Sequence, residues 1–565
     1  MSNASEKQRS YKNVEVAGHF VKVEAGSLIL NLLPEPCEDK PQRQVPIVGA
    51  RYNNQIVDLY TELNEDGKVE FLDLTCEDGL RIYRQSLVFL LSRAFFELFP
   101  QARVSIKHSL NKNFYCEVEG REKLSPLDLQ ALEAKMREII EADEPILPQV
   151  LSQQTALDML EAFGYDDKVA LLSSLQPQEI KLYSVGSYSD YSYSVLAPST
   201  GLLGVFKLQP YADGFLIRFP TTDNPLELAP YRQLPKLGQI FRESEEWLEI
   251  LGIKNLAGYI RMLARGENEA NSLIHVAEAL HEKKIAQIAD EIYHHHDNLR
   301  LILIAGPSSS GKTTFAQRLA IQLRVLGLRP ISISMDDYFV DRDKTPRDER
   351  GEYDFEAVEA VDLELFNLHL QELIDGKEVQ CPIFNFQKGC REELGRPISV
   401  EKGHPIIIEG IHALNERVTA TIHRDNKYKI YISALTQIAI DNSNRVPTTD
   451  ARLIRRIVRD HQYRGQSALG TLKRWPAVRA GEEKNIFPFQ EEADIMFNSA
   501  LIYELGIMKK YAFPLLREVG PEEREYSDAQ RLIKLLSYFP EISEETVPLN
   551  SILREFIGGS SIHGN

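Results

Sequence analysis

The stretch GPSSSGKTT (306–314) fits the Gly-x-x-x-x-Gly-Lys-[Ser/Thr] pattern of a phosphate-binding loop. A strand-like apolar run, LRLILIAG (299–306), precedes it, and apolar residues recur at helical spacing after it, from Phe315 to Leu326. A second apolar run, ISISM (331–335), follows that helix. A Gly/Ser-rich turn can match the pattern by chance, but the order strand, loop, helix, strand predicts a βαβ unit that binds a nucleoside triphosphate.

The residue types in this stretch suit phosphate groups and a magnesium ion. Small residues let successive backbone N–H groups and the helix N-terminus face the phosphates. Lys312 can reach the β and γ oxygens, and the Thr313 hydroxyl is a ligand for Mg²⁺. We therefore predict that the nucleotide is held by Gly306, Pro307, Ser308, Ser309, Ser310, Gly311, Lys312, Thr313 and Thr314.

Length and charge limit what the rest of the chain can be. At about 100 to 200 residues per domain, 565 residues predict roughly three or four domains. The net charge is −18, and residues 1–250 hold 25 Lys and Arg against 37 Asp and Glu. Because an acidic surface repels a phosphate backbone, we expect no nucleic-acid partner for this front half.

Cysteine usage and hydropathy favour a cytoplasmic protein without a membrane partner. Cys37, Cys76, Cys116, Cys381 and Cys390 include no Cys-x-x-Cys pair. The start, MSNASEKQRSYKN, lacks the apolar core of a signal peptide. The richest apolar run, SLVFLLSRAFFELF (86–99), is interrupted by polar residues and predicts a buried helix instead of a membrane span.

Two further segments place acidic side chains where a parallel sheet binds its ligands. SMDDYF (334–339) ends the second strand, so Asp336 lies at the carboxyl edge, where it can take a proton from an attacking hydroxyl. An Asp-Asp pair that caps the next element is the alternative interpretation. HPIIIEGIHAL (404–414) has the pattern of a buried parallel strand and contains Glu409, a candidate for the metal or its waters. A sheet of about five strands is completed by KIYIS (429–433) and DIMFN (494–498).

A basic helix lies between these last two strands. In DARLIRRIVRDHQYRG (450–465), four arginines follow i, i+3, i+4, i+7 spacing and a fifth lies just beyond. A basic stripe is commonly a solvated helix face. In a phosphotransferase, arginines on one helix can instead form a lid that neutralises the transferring phosphoryl group. The residues concerned are Arg452, Arg455, Arg456, Arg459 and Arg464.

Taken together, these segments resemble the uridine kinase family, relatives of phosphoribulokinase. The resemblance implies transfer of the γ-phosphate of ATP or GTP to a nucleoside 5′-hydroxyl, as in uridine or cytidine kinases, with Mg²⁺ as cofactor and a five-stranded parallel core flanked by helices. The matching segments are GPSSSGKTT, SMDDYF, GEYDFEAVEAVD (351–362), PIFNF (382–386), IIIEGIHAL and RRIVRD with the later Arg464-Gly465.

The resemblance also implies roles for individual residues. The residues expected to be catalytic are Asp336, Lys312, Arg459 and Arg464. Those expected to bind the metal are Thr313 and Glu409. The residues expected to contact the acceptor are Phe339, Phe355, Glu356, Phe384, Arg391 and Arg456.

Two departures from the family pattern concern the acceptor. The chain has Gly389 where uridine kinases place a histidine that contacts the base, and Gln466 where they place the second arginine of an Arg-Gly-Arg motif. Loss of a buried hydrogen-bond partner can change discrimination by several powers of ten. Another hydroxylated small molecule is therefore an open alternative to a nucleoside.

The front half resembles parts of threonyl-tRNA synthetases. Residues 45–75 resemble the β-grasp TGS module, and residues 79–100 with 186–208 resemble the second, editing-type domain. Where that domain carries its His-x-x-x-His pair and its later Cys and His, this chain has Gln85, Phe89, Ser192 and Leu196. Phe and Leu bind neither a metal nor a proton, so we expect no deacylase activity. Tyr188, Asp190 and Tyr191 stay as candidates for a small-molecule or RNA contact, with a polar strand edge as the alternative.

The prediction is thus a multidomain protein of α/β and α+β units. We expect a small-molecule acceptor, and a homo-oligomer is left open. A regulatory protein that binds RNA and is switched by nucleotide turnover is the alternative from another class. The predicted domains are a β-grasp domain (1–75), an editing-like α+β domain (76–224), a helical connector (225–297), a P-loop kinase domain (298–540) and a tail (541–565).

Overall fold

Mixed and antiparallel sheets form the N-terminal part of the chain, and one parallel sheet forms the C-terminal part. This is the multidomain α/β architecture expected from the sequence. Cys37 and Phe386, the last residue of the PIFNF segment, lie outside the described residues. The computed structural model describes residues 10–34, 45–347, 351, 353–385, 388–436 and 438–562.

The first unit is a five-stranded mixed sheet. Its strand order is His19–Glu24, Tyr11–Val16, Gly67–Asp73, Ile47–Tyr52, Gln55–Val57. Strands Tyr11–Val16 and Gly67–Asp73 pair in parallel at the centre of the sheet, and the other strand pairs are antiparallel. This is the β-grasp arrangement expected; the narrower assignment to a TGS module stays a prediction. Shorter elements beside the sheet are Ser27–Leu28, Ile29–Leu32 and Glu62–Leu63.

The second unit packs two antiparallel sheets around one long helix, Glu77–Leu98, which is the buried helix predicted from its apolar run. A core cluster of buried apolar side chains joins this helix to both sheets. The four-stranded sheet runs in the order Lys207–Tyr211, Gly214–Arg218, Asn113–Glu119, Arg103–Leu110, and the three-stranded sheet in the order Leu147–Ser152, Glu179–Val185, Tyr188–Tyr191. The remaining helices of the unit are Pro126–Glu141, Gln153–Ala162, Asp166–Leu175 and the short turn Thr200–Leu203.

The third unit is a parallel sheet with the five strands predicted from the sequence. Alternate residues of the central strand enter two different core clusters, Ile302 and Ile304 in one and Leu301 and Leu303 in the other. Both faces of the sheet are therefore covered, which explains its uninterrupted apolar strands. The strand order is Ile331–Ser334, Ile406–Glu409, Leu301–Ala305, Lys427–Ser433, Ile495–Asn498, with every pair parallel.

Ten helices of the described chain surround this sheet or lead into it, and none is long and apolar enough to cross a membrane. Two short hairpins lie beside the second strand, Val379–Cys381 with Arg396–Ile398 and Phe384–Asn385 with Cys390–Arg391. The helices are Pro235–Ile250, Leu256–Leu263, Glu267–His294, Lys312–Val325, Leu363–Ile374, Thr448–Arg464, Ala468–Asn485, Glu504–Arg517, Tyr526–Ser537 and Arg554–Ile557.

The segment expected to connect the two halves is packed into the core of the parallel sheet. Asn498, at the end of the last strand, donates a hydrogen bond of 2.9 Å to the Ser244 hydroxyl. Glu278 accepts a hydrogen bond from the Tyr503 hydroxyl and lies 3.5 Å from Arg318. One core cluster also joins this segment to the front half, because it contains Leu110 and Leu216 together with Leu237, Phe241 and Leu303.

We predict that a fragment of residues 276–565 folds less stably than one of residues 225–565. The shorter fragment lacks the helices Pro235–Ile250 and Leu256–Leu263, whose Leu248 and Tyr259 are buried in the sheet's core cluster. Loss of several large buried side chains costs about 2–5 kcal/mol each. Thermal unfolding followed by circular dichroism should therefore show a lower midpoint for the shorter fragment, and equal midpoints would contradict this packing.

Candidate active site

The phosphate-binding loop runs between strand Leu301–Ala305 and helix Lys312–Val325. A Cβ at Gly306 would lie 2.0 Å from the Ile432 carbonyl oxygen, so only glycine fits against the neighbouring strand. Gly311 has φ +82°, a left-handed conformation that lets the chain turn into the helix. The two glycines of the sequence pattern are thus required by close approach and by backbone conformation.

The structure brings the predicted metal ligands together beneath this loop. The Thr313 hydroxyl donates to Oε1 of Glu409 at 3.2 Å, and the Ser334 hydroxyl donates to the same oxygen at 2.8 Å. Hydroxyl and carboxylate oxygens are the ligands that Mg²⁺ prefers, and Mg²⁺ commonly uses one or two carboxylates together with substrate phosphates. In the described part of the chain no cluster of three or more His, Cys, Asp or Glu forms a cage for a metal. The residues present therefore fit a magnesium ion carried by the nucleotide.

Asp336 lies in the turn Met335–Tyr338, directly after strand Ile331–Ser334. Burial, reinforced by the charge of Asp336, raises the pKa of Glu409 to about 7. Burial also raises the pKa of Glu356 to about 7, although Arg456 and Lys312 act to lower it. The fold thus gathers three carboxyl groups beside the loop lysine, and two of them, Asp336 and Glu409, are at the strand ends where the sequence placed them.

Lys312 lies over its own loop. Its Nζ donates to the carbonyl oxygens of Gly306 at 3.1 Å and Pro307 at 3.3 Å. These carbonyls are weak partners for an ammonium group, so phosphate oxygens can replace them without a large cost.

Three of the predicted lid arginines meet on one carboxylate. Arg459 lies 2.9 Å from Asp460, Arg456 lies 3.2 Å from it, and Arg464 lies 3.4 Å from it. Arg456 also donates to the Ser308 hydroxyl of the phosphate loop at 2.8 Å. Although burial acts to raise it, the pKa of Asp460 is held below its usual value by these arginines. Their positive charge is therefore concentrated at the loop.

The other two arginines of the basic helix are structural. Arg455 is buried, pairs with Glu504 and donates to the Ser309 carbonyl at 3.3 Å. Arg452 is buried, pairs with Glu482 and donates to the Ser308 carbonyl at 3.0 Å. The interpretation of the whole stripe as a solvated face is therefore wrong, because the helix is packed on the phosphate loop along this side.

Glu482 is the contact that the sequence did not reveal. It is fully buried, pairs with Arg452 and Arg479, and accepts a hydrogen bond of 3.1 Å from the Ser308 backbone N–H. One signal near it was available, since Gly481 lies inside a helix, where glycine often marks a close approach. A Cβ at Gly481 would lie 2.3 Å from the Cβ of Glu356.

A second contact missed from the sequence comes from the last described helix. The Thr314 hydroxyl donates to Oε2 of Glu555 at 2.7 Å. The segment expected to be a tail is thus packed against the phosphate loop, and its Ile552, Leu553 and Phe556 lie in the core.

On the acceptor side, the Phe339 and Phe384 rings lie 5.7 Å apart, while Phe355 is exposed. Arg391 donates to the carbonyl oxygens of Phe339 at 3.0 Å and Tyr338 at 2.9 Å, and pairs with Asp362 at 3.1 Å. These three bonds tie Arg391 to the turn that carries Asp336, and its expected contact with the acceptor stays a prediction.

The four editing positions of the front half are engaged in packing. Gln85 donates to Oδ1 of Asn444 at 2.8 Å, the Phe89 ring lies 5.3 Å from Tyr188, and Leu196 is buried. The Ser192 hydroxyl donates to the Ser194 carbonyl at 2.8 Å. The absence of deacylase activity stays a prediction that this packing supports.

The polar candidates of the same domain are also internal. Asp190 pairs with Lys168 at 2.6 Å, and the hydroxyl oxygens of Tyr188 and Tyr165 lie 2.6 Å apart. Tyr191 is bonded to Tyr538. Because these groups are buried and satisfied by one another, they are core contacts and not an exposed binding edge.

The parallel sheet, the phosphate loop and the arginine helix together define a P-loop nucleotide-binding fold. Residues 301–502 match the Phosphoribulokinase / Uridine kinase family, so the C-terminal half contains a domain of that family. The match spans the phosphate loop, Asp336, Glu409 and the arginine helix.

The N-terminal region is similar to threonine–tRNA ligases. The ligase of Pelobacter propionicus is 32% identical over 168 residues, which cover 30% of this chain and 26% of the ligase. The ligase of Burkholderia ambifaria is 34% identical over 169 residues, which cover 30% of this chain and 27% of the ligase. The chain thus spans about a quarter of the length of these relatives.

The solved structures that match this chain do so with low TM-scores. A putative fructose transport system kinase from Silicibacter sp. TM1040 has 20% identity and a TM-score of 0.26, covering 38% of this chain and 98% of its own. A possible uridine kinase from Bacillus stearothermophilus has 20% identity and a TM-score of 0.24, covering 36% of this chain and 89% of its own.

The buried carboxylate of Glu482 generates a stability prediction with its neighbour as control. Glu482→Gln leaves the buried Arg452 without its counter-charge, which typically costs about 3–5 kcal/mol. Glu483 is partly exposed and pairs with Lys112 at 2.7 Å, so Glu483→Gln should cost at most about 1 kcal/mol. Urea unfolding of the two variants measures the difference. Equal losses would show that Glu482 does not anchor the loop.

Proposed function

We propose that the protein is a kinase that transfers the γ-phosphate of ATP or GTP to a hydroxyl group of a small molecule, with a nucleoside 5′-hydroxyl as the first candidate. The observation that carries the proposal is the position of Asp336. Its carboxylate shares the site with Glu409 and Lys312, and among the described residues it has no hydrogen-bond partner. A carboxylate left unpaired at the carboxyl edge of the sheet can receive a proton from an acceptor.

The reaction needs a donor phosphate in line with an acceptor hydroxyl and compensation of the charge that develops on the phosphoryl group. Backbone N–H groups of the phosphate loop and the Lys312 ammonium group hold the β and γ oxygens. Arg456 supplies positive charge from the opposite side, because it lies at Ser308 of the loop, and Arg459 and Arg464 are held next to it by the shared Asp460 carboxylate. Asp336 accepts the proton of the hydroxyl as the O–P bond forms.

Thr313 and Glu409 would hold the magnesium ion that accompanies the nucleotide, and this ion would neutralise charge on the β- and γ-phosphates. Burial keeps Glu409 partly protonated near neutral pH, since its pKa is raised to about 7. Glu409 would have to be deprotonated to hold the cation, and the Ser334 hydroxyl orients its carboxylate.

The acceptor need not be uridine. Gly389 replaces the histidine of the uridine kinase pattern, and the Arg342 guanidinium lies against it, 2.7 Å from where a Cβ would stand. No side chain larger than glycine fits there without moving Arg342. A cationic group thus borders the region where the family contacts its base, which favours another hydroxylated small molecule as the second candidate.

An RNA-binding regulatory role is less compatible with the chain. Residues 1–250 hold 37 Asp and Glu against 25 Lys and Arg, and nucleic-acid affinity rests largely on phosphate contacts by basic residues. At two of the editing positions, Gln85 donates to Asn444 and Phe89 packs on Tyr188.

We predict that Asp336→Asn lowers kcat by about 10²- to 10⁴-fold while nucleotide affinity changes little, because the amide keeps the shape and removes the proton acceptor. The matched control is Asp337→Asn. Asp337 accepts from the Phe384 backbone N–H at 3.5 Å, a bond that an amide oxygen can also accept. Steady-state rates with an acceptor drawn from nucleosides, pentoses and polyols, together with calorimetric nucleotide binding, make the measurement. Lost nucleotide affinity with an unchanged saturated rate would assign Asp336 to the metal instead.

A further inference from the structure

A large cleft separates the front half from the parallel-sheet half. Its volume is about 1890 Å³, and both halves line it. The front half contributes the first turns of helix Glu77–Leu98, and the other half contributes the loop that precedes helix Thr448–Arg464. Of the residues described at the phosphate site, Arg452 and Arg479 line this cleft, while Lys312, Asp336 and Glu409 do not.

Most cations on the walls of the cleft have acidic partners. Arg51 and Arg81 both pair with Asp78, at 2.7 Å and 2.6 Å. Lys112 pairs with Glu483 at 2.7 Å. These side chains are therefore neutralised within the protein and offer little to a ligand.

Arg84 and Arg445 differ from these cations. Within the described ranges neither guanidinium has an ion-pair or hydrogen-bond partner, and the Nε of each is buried. Arg84 instead lies 5.0 Å from the centre of the Phe219 ring, and Arg445 lies 4.9 Å from the centre of the Phe114 ring. The two rings pack edge to face at 4.9 Å. The two guanidinium groups, Arg84 from the front half and Arg445 from the parallel-sheet half, are thus held on adjoining aromatic rings.

The electrostatics of this pair favour an anion. Burial, with the charge of Arg84 adding to it and the attraction of Asp450 opposing it, lowers the pKa of Arg445 to about 10. Burial likewise lowers the pKa of Arg84 to about 10, with Arg81 adding to this effect and Glu77 and Glu483 opposing it. Both groups are still cationic at neutral pH, so in the described part of the chain two partly buried like charges lie together without a carboxylate paired to either.

We propose that Arg84 and Arg445 form a second binding site, for a phosphate-bearing small molecule. The planar guanidinium fork matches the geometry of phosphate oxygens better than any other side chain. The volume of the cleft exceeds the roughly 300–1,000 Å³ that small-molecule sites need. A nucleic acid is disfavoured, because the chain carries a net charge of −18.

This site is mechanically connected to the arginine helix. Arg445 lies three residues before Thr448, where the helix begins. The preceding loop is held by the front half, since Ile106 N–H donates to the Asn442 carbonyl at 2.7 Å and Lys168 donates to the Ser443 hydroxyl at 3.1 Å. An anion bound by both arginines fixes the start of the helix whose far part carries Arg456 and Arg459.

The binding test uses the full chain with saturating Mg²⁺ and a non-hydrolysable ATP analogue, so that the phosphate loop is filled. Calorimetry then measures affinity for inorganic phosphate, pyrophosphate, uridine 5′-monophosphate and a single-stranded RNA dodecamer. The variants are Arg84→Gln and Arg445→Gln. The control is Arg524→Gln, because Arg524 also lines the cleft but pairs with Glu70 at 3.0 Å.

We expect at least one of the three small probes to bind, with affinity reduced about tenfold or more in each variant and unchanged in the control. Without a probe, Arg84→Gln and Arg445→Gln should leave the melting temperature equal or higher, because each removes a repulsion; this shows that the variants fold. Ligand-induced stabilisation should then be lost in both. The proposal would be overturned by any of three results: none of the small probes binds the wild type, both variants retain the binding, or RNA alone binds. None of these readouts depends on kinase activity.

Discussion

The arrangement of the phosphate site depends on one buried ion pair, between Glu482 and Arg452. The Glu482 carboxylate accepts a hydrogen bond from the Ser308 backbone N–H, and the Arg452 guanidinium donates one to the Ser308 carbonyl. The pair therefore binds both backbone polar groups of a single loop residue. A buried charge is tolerated only when it is paired and hydrogen-bonded, and here both conditions are met. The loop, the arginine helix and helix Ala468–Asn485 therefore form one rigid unit.

Around this unit the protein leaves other charges incompletely compensated. Glu409 and Glu356 have raised pKa values because they are buried beside Asp336. Arg456, Arg459 and Arg464 all pair with the carboxylate of Asp460. An excess of acidic groups on one side and of arginines on the other is suited to a metal-bound, multiply charged nucleotide, which supplies the missing counter-charges on both sides.

Local sequence patterns predicted the elements but not the long-range contacts. The five strands are continuous apolar runs, and the phosphate loop follows from residue types within nine positions, so both could be predicted. Asp336 and Glu409 follow from their positions at strand ends. Glu482, Glu555 and Arg391 act on segments far away in the chain, and nothing in their own neighbourhood specifies the partner. The five arginines share one helical pattern, yet tertiary packing divides them between structural and phosphate-facing roles.

The central claim is that the site passes a phosphoryl group to a carbon-bound hydroxyl and not to water. The most direct measurement incubates the full chain with γ-³²P-labelled ATP and Mg²⁺, with and without each of a panel of nucleosides, pentoses and polyols, and separates labelled ester from inorganic phosphate. Our account predicts that at least one acceptor accelerates ATP consumption and carries the label as a phosphate ester. ATP consumption that yields only inorganic phosphate, at a rate that no acceptor changes, would contradict it.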